Sequence, residues 1–248
     1  MSAISPQQLE SLFRPRSVAL VGAANKSLFS QLAYRNLADF GFTDRTWLVN
    51  RRGAETHGRP TVRSCADIGE QIDVAFLIVP QAGTLDALSD AAAVGIRNAV
   101  VLSSGYGEAG EAGQRAEAEL VAHAESLGMV LLGPNHLGFA NFTAGIPVTS
   151  IMGLPRGAGP VALHSQSGAT SSTSTISAWA ARTASSPRTS LAAAGIPADL
   201  DTLAAVVARI GDLAAALGDE LESLEVNPLR VDGPTIEALD AVVTWRSV

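Results

Sequence analysis

The chain of 248 residues has one cysteine, Cys65, which excludes an intrachain disulfide framework and any zinc site built from several thiolates. A chain of this kind suits a reducing compartment, and Cys65 itself is expected to be a small buried or half-exposed residue. Basic residues are in deficit, 17 Lys and Arg against 24 Asp and Glu, and the net charge of −7 argues against a general nucleic-acid binder. An anionic ligand must therefore meet local arginines, helix N-termini or backbone amides. The opening stretch MSAISPQQLESLFRPRSVAL lacks the apolar core of a signal peptide, and no apolar run is long enough to span a bilayer. No membrane or nucleic-acid partner is expected, and the expected location is cytoplasmic. Also missing are a three-glycine dinucleotide fingerprint, a Walker-type phosphate loop, a Ser-His-Asp arrangement and a metal-spaced Cys/His cluster.

Ala, Val, Leu and Gly carry the apolar weight, as expected where helices pack closely on a parallel sheet. SVALVG, RTWLVN, IDVAFLIVP, NAVVLSSG and GMVLLGPN are short apolar runs closed by Gly, Pro or Asn, which predicts strands buried on both faces. Between them FSQLAYRNLADFG, TLDALSDAAAVG and EAGQRAEAELVAHAESLG have helical periodicity, the last two stopped by Gly95 and Gly128. Repeated β-α-β units predict a Rossmann-like, doubly wound parallel α/β sheet over residues 1–152, with ligands at the strand C-termini.

The strand ends carry the informative residues. Gly22 is the second residue of VGAANKSLFSQLA, where a phosphate would meet the amides and dipole of the next helix N-terminus. After the second strand, where an NAD site usually offers an acid, stand Asn50, Arg51 and Arg52. Two arginines there suit a phosphorylated ribose, as in NADP or coenzyme A, although a solvated basic loop has the same composition. Pro80 closes the third strand, Glu108 sits in the glycine-rich turn SSGYGEAG after the fourth, and Asn135 lies in LLGPNHLGFAN after the fifth.

Taken in order, SVALVGAANKS, LVNRRGAETHG, DVAFLIVP, VVLSSGYGEAG, LLGPNHLGFAN and GPVALHSQSGA resemble the CoA-binding domain of the nucleoside-diphosphate-forming acyl-CoA synthetases, relatives of ADP-forming acetate-CoA ligase and the succinyl-CoA synthetase α subunit. That family joins a carboxylic acid to CoA with ATP, through a phosphorylated histidine and an acyl phosphate. The resemblance implies that Gly22, Ala23 and Ser27 line the CoA phosphate loop, Asn50 and Arg51 the ribose-phosphate side, and Pro80 the adenine cleft. Arg52, Glu108 and Asn135, at the same strand ends, are also expected among the cofactor-binding residues. Position 28 departs, because the family loop is richer in Pro and Gly than KSLFSQ. The turn of Ser165, Gln166, Ser167 and Gly168 opens a helical stretch, whose N-terminus the resemblance points at the active-site phosphate. A turn without catalytic duty is the alternative.

Near the end, LESLEVNPLRVDGPTIEALDAVVTW places Glu225 and Asn227 on one strand face, and a turn at 233–234 brings Asp240 opposite Asn227. Three oxygen-bearing side chains suit Mg2+ shared with nucleotide phosphates, while a plain polar hairpin has the same spacing. LEVNPL and ALDA also resemble the last strands of the family's ATP-grasp domain, where the Asn and Asp hold magnesium. Only about 50 residues, 197–248, match it, against the order of 200 that such a domain needs. Between lies 153–196, a partial ligase-type segment with a Ser/Thr-rich linker that matches nothing in the family. The arrangement is that of a synthetase without its middle, by deletion, by a reading-frame error, or with a partner supplying the lost part.

None of the four histidines, His57, His123, His136 and His164, stands in the family's phosphohistidine context, and a structural role is expected for each, with His123 on the solvated side of its helix. The expectation is a CoA- or acyl-CoA-binding protein of acid-thiol ligase type. It would lack independent ligase activity, and Mg-ATP or Mg-ADP would enter only if an ATP-grasp partner subunit or a second copy completes the site. The alternatives are an NADP-binding Rossmann oxidoreductase and a non-catalytic CoA-sensing module.

Overall fold

The apolar runs form five parallel strands, β1 (Val18–Val21), β2 (Thr46–Val49), β3 (Val74–Leu77), β4 (Asn98–Val101) and β5 (Val130–Leu132), in a computed structural model that describes residues 4–154, 200–226, 229–232, 235–238 and 241–246. Their spatial order is β2-β1-β3-β4-β5, and Val21 is in register with Val49 on one side and Leu77 on the other. Parallel neighbours need a crossover. Helix α2 (Leu28–Asp39) joins β1 to β2, α3 (Thr84–Ala93) joins β3 to β4, and α4 (Glu111–Ser126) joins β4 to β5. The fold class read from the sequence is the one observed.

Successive strand side chains point to opposite faces, so each strand divides its residues between two cores. Val18, Leu20, Val74, Phe76 and Val100 pack with Ala33 and Leu37 of α2. Ala19, Val21, Ala75, Leu77 and Val101 pack with Leu88 and Ala91 of α3 and Leu120 and Ala124 of α4. Both faces are covered, which is why the runs are continuously apolar rather than alternating. Each fully buried Leu or Phe stabilises the sheet by about 1.5–3 kcal/mol relative to exposure.

The face that carries α2 is completed by elements that the sequence pattern did not announce. Helix α1 (Pro6–Phe13) starts at a capping box, with Gln8 N donating to Ser5 Oγ at 3.2 Å and Ser5 N to Gln8 Oε1 at 2.9 Å. Strands β6 (Gly138–Asn141) and β7 (Ile146–Thr149) form an antiparallel hairpin whose Ile146 and Val148 enter the α2-side core. The buried Asn36 of α2 donates to the carbonyls of Thr149 and Ile151 at 2.7 and 2.8 Å, fastening the helix to this hairpin.

The chain divides into two compact units, Met1–Ile151 and Met152–Val248. In the second, α5 (Leu200–Leu217) precedes β8 (Leu221–Val226), β9 (Leu229–Asp232), β10 (Thr235–Ala238) and β11 (Ala241–Trp245). Asp232 pairs with Thr235, bracketing the turn expected at 233–234, and Val226 pairs with Ala241. The helix and hairpin expected at the C-terminus are present. Val242 is 51% exposed, and the other residues of β11 are exposed as well. No helix among the described residues is long and apolar enough to cross a membrane.

Candidate functional site

The strand order reverses between β1 and β3, whose outgoing connections leave in opposite directions and open a crevice at the carboxyl edge. Gly22, just after β1, has φ +86, and a Cβ there would run into the carbonyl of Ile78 just after β3. Only glycine lets the two connections pass this closely. The amides of Gly22 and Ala23 both donate to Val49 O, at 3.0 and 3.1 Å, so this first turn is held by the end of β2. Ala23 is fully buried.

Asn50 extends that bond pattern. Its Nδ2 donates to Ala23 O at 2.7 Å, its Oδ1 accepts from Arg52 N at 2.8 Å, and its carbonyl accepts from Gly53 N at 2.8 Å. The turn that carries Arg51 and Arg52 is therefore tied to the loop ahead of α2. Arg51 Nη2 lies 3.4 Å from Asp86 Oδ2 in the first turn of α3, with both side chains about three-quarters exposed. Arg52 is exposed as well.

Ser27 caps α2, its Oγ accepting from Ser30 N at 3.3 Å. Among the described residues nothing accepts from the amides of Leu28 and Phe29, the first two of that helix, which leaves two donors at its positive end. The loop ahead of the helix is latched to the segment after β2. His57 N donates to Asn25 Oδ1 at 2.7 Å, His57 Nε2 lies 2.8 Å from Ser30 Oγ, and the ring stacks on Tyr34 with centroids 5.0 Å apart. Burial pushes the His57 pKa below its ordinary value.

A cleft of about 380 Å³ opens at the ends of β3, β4 and β5, with Phe29, Val79, Pro80, Leu102, Ser103 and Asn135 in its wall. Ser103 Oγ donates to Val79 O at 2.6 Å and Ser103 O accepts from Asn135 N at 2.9 Å, so neighbouring strand ends are tied together at its floor. Asn135 has φ +53, a conformation that asparagine tolerates better than most residues, and its side chain is exposed to the cleft. Glu108 serves its own loop, where its carboxylate accepts from Gly105 N and that bond holds its pKa below the usual carboxylate range. A more open hollow lies on the outer face of α4, along Gln114, Val121 and Glu125, but it borders none of the strand ends.

The structure thus gathers Gly22, Ala23, Ser27, Asn50, Arg51, Arg52, Pro80 and Asn135 along one edge of the sheet, with Glu108 in the loop after β4. Phe29, Leu102, Ser103 and Leu137 also line the cleft and were not singled out in the sequence, although Ser103 follows directly from the rule that strand ends line the site. His123 departs from expectation: it faces α3, with Nε2 2.8 Å from Ser89 Oγ, because the side of α4 it occupies packs inward. His136 Nδ1 accepts from Gly138 N at 2.9 Å. His164 and the turn of Ser165, Gln166, Ser167 and Gly168 lie outside the described residues, as do Asn227 and Asp240. Glu225 pairs with Val242 in the β8–β11 ladder.

The family model for the CoA binding domain matches residues 16–141. A trans-feruloyl-CoA synthase from an unidentified prokaryote is 35% identical over 170 residues, 66% of this chain and 24% of its own. The α subunit of the ADP-forming acetate-CoA ligase I of Pyrococcus furiosus is 36% identical over 172 residues, 65% of this chain and 36% of its own. Among solved structures, the dinucleotide-forming acetyl-coenzyme A synthetase 1 of Ca. Korarchaeum cryptofilum, in complex with phosphate and ADP, aligns with a TM-score of 0.54 at 33% identity, over 60% of this chain and 32% of its own. The matched stretch is thus about a quarter to a third of these relatives' length.

Proposed function

Because this chain belongs to the CoA-binding domain family, we propose that its first unit binds coenzyme A or an acyl-CoA across the carboxyl edge of the sheet, at the crevice between β1 and β3. The observation that carries this reading is the pairing of a basic turn, Arg51 and Arg52, with a mostly apolar cleft walled by Phe29, Val79, Pro80 and Leu102 on the same edge. A phosphorylated ribose suits the first, and the planar apolar face of adenine suits the second, which Pro80 helps to wall. The free amides of Leu28 and Phe29 and the positive end of α2 would meet the pyrophosphate. Gly22, Ala23 and Asn50 act one step back: their hydrogen bonds with Val49 and with one another hold the phosphate loop against the basic turn. When bound, CoA supplies a thiol that becomes a thioester.

Beyond binding, the relatives support a part in acid-thiol ligation. The phosphoryl-carrying histidine and the lobes that grasp Mg-ATP would come from a partner subunit or a second copy, with Glu225, Asn227 and Asp240 as a remnant of that nucleotide site. SQSGA, residues 165–168 and the following alanine, would point a helix N-terminus at the shared phosphate. Equilibrium dialysis of the full chain against CoA, NADP and ATP tests the reading. Retention of CoA alone is the expected result, and retention of NADP without CoA would replace it with the oxidoreductase reading.

A further inference from the structure

The basic turn has a third member that comes from elsewhere in the chain. Val49 and Val62 form a short parallel bridge, with Val62 N donating to Leu48 O at 3.0 Å and Asn50 N to Val62 O at 2.8 Å. The next residue, Arg63, therefore emerges beside the 50–53 turn. Its side chain lies on Gly53: a Cβ there would stand 3.1 Å from Arg63 Nε and 3.8 Å from Nη2. Gly53 also has φ +64, so this one glycine both closes the turn and leaves room for the guanidinium.

The charge at this spot runs against that of the protein. Among the described residues neither Arg52 nor Arg63 makes an ion pair, and Arg51 has only Asp86 at 3.4 Å. Three guanidiniums against one carboxylate leave two positive charges uncompensated in a chain of net charge −7. Uncompensated like charges on one turn and the segment beside it repel one another, and a bound anion relieves that repulsion. A phosphomonoester at neutral pH carries nearly two negative charges and offers three acceptor oxygens, and the planar fork of arginine matches such a group better than the point charge of lysine.

We propose that Arg63, seated on Gly53, is a specificity-determining residue of this site, completing with Arg51 and Arg52 a seat for the phosphomonoester on the ligand's ribose. This rests on the nucleotide-cofactor reading given above and adds to it the residue and the charge state that the seat selects. Arg63 is exposed and makes no hydrogen bond among the described residues, so its removal leaves the fold intact.

The test is calorimetric titration of CoA, dephospho-CoA, NADP and NAD into the full-length wild-type chain, Arg63→Ala and Arg63→Lys, with thermal midpoints as a folding control. Arg63→Ala is expected to weaken CoA by about tenfold while leaving dephospho-CoA within about twofold of wild type, and Arg63→Lys to fall between. The preference for CoA is also expected to fade below about pH 6, where the phosphomonoester dianion takes up a proton and keeps a single charge. Equal weakening of CoA and dephospho-CoA by Arg63→Ala, or of neither, overturns the proposal while the CoA reading stands. If CoA fails to bind but NADP binds more tightly than NAD in an Arg63-dependent way, the phosphomonoester seat stands and the CoA reading falls. Binding of none of the four overturns both.

Discussion

The side-chain amide of Asn50 donates to the carbonyl of Ala23 across 2.7 Å, so the basic turn after β2 and the loop leading into α2 move as one piece. Asn50→Asp removes that donor and sets a carboxylate oxygen against a carbonyl in a half-buried position. The expected loss is about 1–3 kcal/mol in urea unfolding, with weaker CoA binding as well. An unchanged midpoint would mean that the two loops are held by other bonds.

Cys65 is 2% exposed, and its amide donates to Asp90 at 2.9 Å. Burial first, and then the charge of Asp90, push its thiol up to about 12. Since the thiolate is the reacting form, Ellman's reagent at pH 8 should label the native chain far more slowly than the urea-unfolded chain. Equal rates would place this thiol at the surface.

Arg16 grips Asp73 through Nε and Nη2, at 2.9 Å each, and through its own amide at 2.7 Å. The Arg16 side-chain hydrogen bond is the largest cause holding the Asp73 carboxyl below its usual range. A depressed folded-state pKa contributes stability that is fully present above the unfolded value, near 3.9, and is lost as pH falls through the lower folded value. Asp73→Asn should therefore lower the melting temperature at pH 7 and flatten its fall below about pH 4. Parallel acid limbs for the two proteins would contradict this.

Much of the fold was legible because a sheet covered on both faces needs runs such as VALV and VAFL, which few other structures require. Gly95 and Gly128 mark helix ends for the same local reason, and both adopt positive φ, +92 and +65. What stayed hidden depends on neighbours distant in sequence. The amides of Gly22 and Ala23 are joined to Val49 because β2 lies beside β1, and His123 turns inward because α3 lies beside α4. Arg63 reaches the basic turn only through the Val49–Val62 bridge. The β6–β7 hairpin was missed because GFAN and IPVT are four-residue strands broken by glycine and proline, which weakens their period-two pattern.

The phosphoryl-carrying histidine is proposed to come from a partner, and among the described residues His57, His123 and His136 are each engaged in a hydrogen bond. Incubation of the purified chain with acetate, CoA, Mg2+ and ATP should thus give no thioester and no acid-labile phosphate on protein. Thioester formed without an added partner would contradict the proposed borrowing of the ATP-grasping lobes.

The edge carrying Arg51, Arg52 and the Phe29–Pro80 cleft is proposed as a coenzyme A site. Calorimetric titration of the wild-type chain with CoA and then dephospho-CoA addresses it most directly. Saturable CoA binding is predicted, with dephospho-CoA about ten- to a hundredfold weaker, the worth of charge-assisted contacts to one phosphate. Arg51→Ala should remove most of that difference. Equal affinities for the two ligands, or no binding of CoA, would contradict the account.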